Sequence, residues 1–391
     1  MALIKGMMRT IAWSGIKGYD ANNRLEWNKM NVGLFMMPVH HPEKGLARTI
    51  KEDMETIIRG DRLGFDEAWI GEHFTIPWEN LPAPDLFIAK ALGLTENIKL
   101  GTGVVLLQLH DPKDLAHRIA MLDYLAEGRL FFGVGTGGVP TEYEFFGVSQ
   151  DNRHARAAEV LDAVLKIWEA DGPLNYQGEF ISVKSPTPII EGSLGLWMKP
   201  YTRPHPPIAV AGSSPSSSTI EWAGEHGWIP LTTSILSTPQ IPSHWEAYSK
   251  GAAKSGITPD RSDWRICLDI YVAETTEQAR QDVMQCGLAR TYEEYFFPLF
   301  KTTGFFERLK PDPSFPDDAI NVEYMMDNRW IIGDPDYCLR KIKDVYDTVG
   351  GFGTLLQLTH DWDPPEKGWK SQELFAKHIA PELRKLPPTI A

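Results

Sequence analysis

Short apolar runs alternate with amphipathic stretches along most of the chain. The first run, Val32 to Met37, is stopped by Pro38 and predicts a strand. Leu46 to Leu63 places Ile50, Met54, Ile57 and Ile58 at helical spacing, and Gly64 closes it. Phe65 to Ile70 reads as a second strand. Pro84, suited to a first helical turn, opens a helix through Leu86, Ile88 and Leu92. Ile98 to Leu107 follows as a third strand, and Pro112 opens the helix carrying Ile119 and Leu122. Arg129 to Val134 is a fourth strand and Arg153 to Trp168 a fourth amphipathic helix.

From Gly172 to Pro207 the alternation gives way to a Pro- and Gly-rich connection with a strand-like stretch, Glu179 to Val183. It resumes with strands at Ile208 to Ala211, Trp228 to Leu231, Arg265 to Ala273 and Gly353 to Leu358. Helices are expected at Ser216 to His226, Pro242 to Ser255, Thr276 to Leu288, Asp336 to Thr348 and Gln372 to Leu386. Short apolar strands alternating with helices predict an α/β fold with a parallel sheet. The strand count also matches the eight that close a (β/α)8 TIM barrel. An open doubly wound sheet is the alternative, but no Gly-rich dinucleotide fingerprint follows the first strand. The stretch from Tyr292 to Asn328 fits no barrel element. With Tyr295, Phe296, Phe297, Phe305, Phe306, Pro311, Pro313 and Pro316, it is too aromatic for plain disorder. It reads as an active-site lid, or else as a flap packed on the barrel side.

Composition narrows the function. The 391 residues carry 39 Lys and Arg against 52 Asp and Glu, a net charge of −13, which argues against nucleic acid as a partner. No apolar run approaches the ~20 residues that span a bilayer. The first thirty residues, with Lys5, Arg9 and Lys17, lack the apolar core of a signal peptide. Cys267, Cys286 and Cys338 are too widely spaced for a disulfide framework or a paired metal motif. A soluble cytoplasmic protein is expected.

In a barrel, chemistry sits at the C-terminal ends of the strands. His73, after the second strand, can act as a general base or donor near neutral pH, with Glu72 placed to orient it. His40, His41 and His110 could line the same mouth, yet no metal-ligand spacing emerges and no metal is expected. Glycines at 101, 103, 133, 135, 137 and 138 suggest close approach of a ligand or turns needing positive φ. Gly212, Ser213 and Ser214 open a serine-rich turn leading into a helix, a donor set suited to phosphate or to an ordinary helix cap. Arg153, His154 and Arg156 could add positive charge, or form a solvated salt-bridge face.

The order of these motifs resembles the bacterial luciferase-like flavin monooxygenase family, in the branch that includes limonene monooxygenases. The matching stretches include Val32-Gly33-Leu34-Phe35, Gly64-Phe65-Asp66-Glu67-Ala68-Trp69-Ile70-Gly71-Glu72-His73 and Leu100-Gly101-Thr102-Gly103-Val104-Val105. Further ones are Gly128-Arg129-Leu130-Phe131-Phe132-Gly133-Val134-Gly135, Arg203-Pro204-His205-Pro206-Pro207-Ile208 and Gly350-Gly351-Phe352-Gly353. The resemblance runs from about residue 31 to 386 and leaves residues 1–30, with Trp13, Tyr19 and Trp27, as an N-terminal extension to a 31–391 barrel domain.

The resemblance implies a barrel that binds FMN as FMNH2. O2 would add at the flavin C4a position, and the resulting (hydro)peroxide would oxygenate a small apolar substrate such as a terpene, ketone or aldehyde. It implies His73 as the catalytic histidine with Glu72 beside it, and Thr102, Gly103 and Val104 against the flavin ring, where relatives often hold a cis peptide. Gly212, Ser213 and Ser214 match the phosphate turn, and the segment at about 291–328 matches a mobile lid. Thr136 stands where luciferase has a phosphate-binding arginine, which leaves Arg153, His154 and Arg156 as candidates for the counter-charge. Gly135 replaces a reactive cysteine and suits a monooxygenase better than light emission. A separate NAD(P)H-dependent flavin reductase and a homodimer complete the expectation. The alternatives are a deazaflavin-dependent dehydrogenase or reductase on the same fold, and a non-catalytic barrel subunit.

Overall fold

A computed structural model describes residues 29–190, 193–310 and 314–390. Eight parallel strands form a ring. They are β1 (Asn31–Met36), β2 (Glu67–Ile70), β3 (Lys99–Thr102, resuming at Val105–Leu106), β4 (Leu130–Gly135), β5 (Ile208–Gly212), β6 (Ile229–Thr232), β7 (Arg265–Leu268) and β8 (Thr354–Leu358). β1 pairs with β2 through Gly33 and Glu67, and with β8 through Asn31 and Thr354. β3 meets β4 through Leu100 and Leu130, so the sheet closes and the open doubly wound alternative falls.

The helices in chain order are α1 (Leu46–Leu63), α2 (Pro84–Leu92), α3 (Pro112–Ala126), α4 (Pro140–Phe146), α5 (Arg153–Glu169), α6 (Ser218–His226) and α7 (Pro242–Lys254). After them come α8 (Thr276–Gln285), α9 (Leu288–Thr291), α10 (Phe297–Thr303), α11 (Val322–Asn328), α12 (Pro335–Val349), α13 (Glu366–Leu374) and α14 (Ala380–Leu383). The period-2 alternation of the strands divides the core. In β1, Val32, Leu34 and Met36 face the helices, while Phe35 points into the barrel with Trp69, Phe131, Leu231 and Leu356. Glu67 and Arg265 form a buried pair inside the barrel at 3.2 Å, and the Trp69 indole donates to the same carboxylate.

Several boundaries differ from expectation. The third strand breaks at Thr102, and the peptide Gly103–Val104 is cis. The seventh splits after Leu268: Ile270–Val272 leaves the barrel to pair with Ile331–Gly333, a strand too short to read from periodicity. The connection from 172 to 207 holds an antiparallel pair, Asn175–Gln177 with Ser182–Lys184. The C-terminal helix begins earlier than expected, at Glu366.

The rim glycines have separate causes. A Cβ on Gly133 would lie 1.9 Å from the Thr102 carbonyl oxygen, and one on Gly101 would lie 2.6 Å from the Trp69 ring, so these two serve barrel packing. Gly137 has φ +60°, and Gly138 faces open space. Met30 is buried and donates to the Leu386 carbonyl, so it belongs to the barrel. Trp13, Tyr19 and Trp27, with Pro311 and Pro313, lie outside the described residues.

The segment expected as a lid is largely helical, not irregular. Tyr292, Phe297, Phe306, Leu309, Met325 and Met326 are buried with α8 residues in a second apolar core. Its aromatic content thus builds a packed layer that sits over the strand ends.

Candidate active site

His73 follows β2 and is only 13% exposed at its side chain. Its Nε2 lies 3.1 Å from Glu79, on the β2–α2 connection, and its Nδ1 3.1 Å from Glu142, on α4. Glu142 also accepts from the Phe74 backbone N–H at 2.8 Å. From the packed lid segment, the Tyr295 hydroxyl donates to Glu79, and its ring stacks on Trp78 at 5.3 Å. Burial opposes a charge on His73, but the Glu79 carboxylate and the bonds to both acids outweigh it and push the pKa up to about 10. Glu79 is opposed by burial in the same way and is held down by the His73 charge. The imidazolium is therefore the resting form at neutral pH.

Glu72 does not orient His73. Its carboxylate receives the Leu106 N–H at 2.7 Å and lies 3.0 Å from His110 Nε2, tying β2 to the far half of β3. Adjacent side chains in extended backbone point to opposite sides, which separates the two residues. Glu79, Glu142 and Tyr295 were not legible in sequence, since no local pattern connects them to position 73. A carboxylate early in a short helix was the only available signal for Glu142.

Beside this clamp the strand ends open to solvent. Thr102 is buried and spends its hydroxyl on the Gly133 carbonyl at 2.7 Å; Gly103 is buried too. Val104 is half-buried, as are Gly135 and Thr136 on the neighbouring strand. The Thr136 carbonyl accepts from Gln108 at 2.7 Å and from the Tyr143 hydroxyl at 2.8 Å. Phe74 and Phe146, 4.7 Å apart with rings edge-on, add an apolar wall.

Gly212, Ser213 and Ser214 follow β5. The Ser214 carbonyl accepts from His244 Nε2 at 2.8 Å. Burial keeps His244 neutral, with its pKa lowered to about 4. Trp264 donates to the Thr232 hydroxyl, which bonds His244 Nδ1 at 2.8 Å, so the proton on Nε2 is assigned by the network. Ser217 caps α6. Arg156 donates to the Gln108 carbonyl and Arg153 to the Gln150 carbonyl, while His154 is exposed.

Among the described residues, His40, Glu52 and Asp361 bring ligand atoms within 4.8 Å of one another. The Lys44 ammonium already lies 2.9 Å from Glu52 and 2.6 Å from Asp361, filling the cation position. His41 pairs with Glu43 and Glu294 instead.

A sequence model of the luciferase-like monooxygenase family matches residues 30–351. The 4-hydroxyprotoasukamycin monooxygenase of Streptomyces nodosus subsp. asukaensis is 32% identical, over 91% of this chain and 92% of its own. Limonene 1,2-monooxygenase of Rhodococcus erythropolis is 30% identical, over 92% and 88%. Among solved structures, the oxygenating constituent of 3,6-diketocamphane monooxygenase from Pseudomonas putida superposes with TM-score 0.84 at 30% identity. That alignment covers 92% of this chain and all of the other, a type II Baeyer–Villiger monooxygenase in complex with FMN. With such agreement in sequence and fold along nearly its whole length, the chain belongs to the luciferase-like monooxygenase family and is a flavin-dependent monooxygenase.

Proposed function

We propose that the enzyme uses reduced FMN, delivered by a separate NAD(P)H-dependent reductase, to insert one atom of O2 into a small apolar substrate such as a terpene, ketone or aldehyde. The observation that carries this reading is a buried His73 with a carboxylate 3.1 Å from each ring nitrogen, next to strand ends left open at Val104, Gly135, Thr136, Ser213 and Ser214. Once bound, reduced FMN supplies the two electrons that divide O2 between product and water. The donor set fits such a group. Val104 and Gly135 offer a surface for a flat ring, and the serine turn with the first turn of α6 suits its phosphate. Arg156, on α5, reaches this rim at the Gln108 carbonyl, and the Gln108 side chain donates to the Thr136 carbonyl.

His73 acts as the proton-carrying cation of the site. It stabilises negative charge that develops beside it, and it gives up its proton only when Glu79 or Glu142 yields a nitrogen. Phe74, Phe146 and Val104 exclude water from the substrate and suit an apolar one. The relative described as an oxygenating constituent supports the two-component arrangement. Cytoplasmic location supplies the reductase's nicotinamide. Among the described residues no helix is long and apolar enough to cross a membrane.

Oxygen uptake with reduced FMN and a generic reductase, followed by product analysis over a panel of terpenes, ketones and aldehydes, tests the reading. A deazaflavin enzyme would give no oxygenated product, since free reduced FMN consumes O2 by itself. His73→Ala is expected to bind flavin normally while product formation falls at least about tenfold. Full coupled activity in that variant would remove His73 from the role.

A further inference from the structure

We infer that Arg308, on the lid segment, supplies positive charge to the cofactor's phosphate at the Ser213–Ser214 turn. The inference rests on the FMN reading above. A phosphate monoester brings close to two negative charges, and the serine turn offers hydroxyls and N–H groups but no cation of its own. Thr136 cannot supply one, and Arg153 and Arg156 donate to the Gln150 and Gln108 carbonyls rather than to a group of the serine turn.

Arg308 is different. Its Nη1 donates to the Ser213 carbonyl at 2.7 Å, which brings the guanidinium onto the turn from a segment 95 residues away in the chain. The Phe305 ring lies 4.1 Å from its Cζ and fixes the plane of the fork. Flanking Phe306 and Leu309 are buried at 3% and 2% in the lid's own core, and the Tyr324 hydroxyl holds the Leu309 carbonyl. The arm is thus anchored on both sides of the arginine.

Its neighbour Lys310 is taken by Glu307 and Asp317, at 2.9 and 2.6 Å. Among the described residues Arg308 has no carboxylate partner, and desolvation draws its pKa down with nothing to offset it. A half-buried cation with one donor spent on a carbonyl keeps the rest of its fork for an anion.

Equilibrium titrations of the purified protein with FMN and with riboflavin isolate the phosphate. Wild type is expected to prefer FMN. Arg308→Gln should lower that preference about tenfold or more while riboflavin affinity stays unchanged, and Arg308→Lys should keep most of it. An unaltered preference in Arg308→Gln would overturn the inference and leave the FMN reading standing. Equal loss of both flavins would overturn it too, assigning Arg308 to lid packing alone. A wild type that binds both flavins equally would remove the phosphate site itself.

Discussion

Burial by itself would discharge a histidine, because a low-dielectric surround disfavours the cation. At position 73 that tendency is reversed by Glu79 and Glu142, each 3.1 Å from a ring nitrogen. The raised pKa means the proton is held from acid pH until the pH approaches about 10. Glu79→Gln removes the charge that contributes most to holding it. The pH at which His73 deprotonates should then fall by about one to three pH units, as read from ¹⁵N-edited NMR of the histidine ring. An unshifted titration would assign the stabilisation elsewhere. The Tyr295 hydroxyl on Glu79 makes this balance depend on the lid segment as well as on the barrel.

At the scale of elements, the seam between β1 and β8 is closed by charge. His40, after β1, lies 2.9 Å from Asp53 on α1 and 2.8 Å from Asp361 after β8, and Lys44 joins Asp361 to Glu52. His40 and Asp361 are 5% and 4% exposed, so neither can exchange its partner for water. Asp361→Asn breaks the pairs while leaving cations behind, and should cost about 3–5 kcal/mol in urea unfolding at neutral pH. Burial works against the His40 charge, but Asp53 and Asp361 raise its pKa to about 9. Its contribution is then complete below about pH 6.5 and lost as pH rises through 9. The variant should show a flatter decline of stability over that interval. A parallel decline would rule out His40 as its source.

For the molecule as a whole, two features lie beyond the barrel chemistry. The stretch from 292 to 329 is stitched to the rim by Tyr295 at Glu79, Arg308 at Ser213 and Arg329 at the Ile235 carbonyl. On another face, Leu86 on α2 and Met121, Tyr124 and Leu125 on α3 are 67%, 49%, 45% and 50% exposed, more apolar surface than scattered single residues provide. If the chain forms the homodimer that the family resemblance implies, this face is the expected contact. Light scattering should give a dimer mass for wild type and a monomer mass for the double variant Met121→Glu, Leu125→Glu. A wild-type monomer, or a dimer that survives both charges, would place the contact elsewhere or abolish it.

Periodicity determined much of this protein. The spacing in Leu46–Leu63 and the run before Pro38 specify their elements through local sterics and one-sided burial, and the strand count implies closure. His73 and the serine turn were legible because a barrel assigns function to strand ends. The partners of His73 were not. Glu79 comes from a loop, Glu142 from a short helix 69 residues away and Tyr295 from a segment without barrel periodicity, and only the closed ring brings them together. Glu72 shows the same limit from the other side: it adjoins His73 in sequence, yet the alternation of extended backbone turns it toward His110. Sequence proximity set which elements form; the tertiary structure alone decided which charges share a low-dielectric site, because that depends on distances no local pattern encodes.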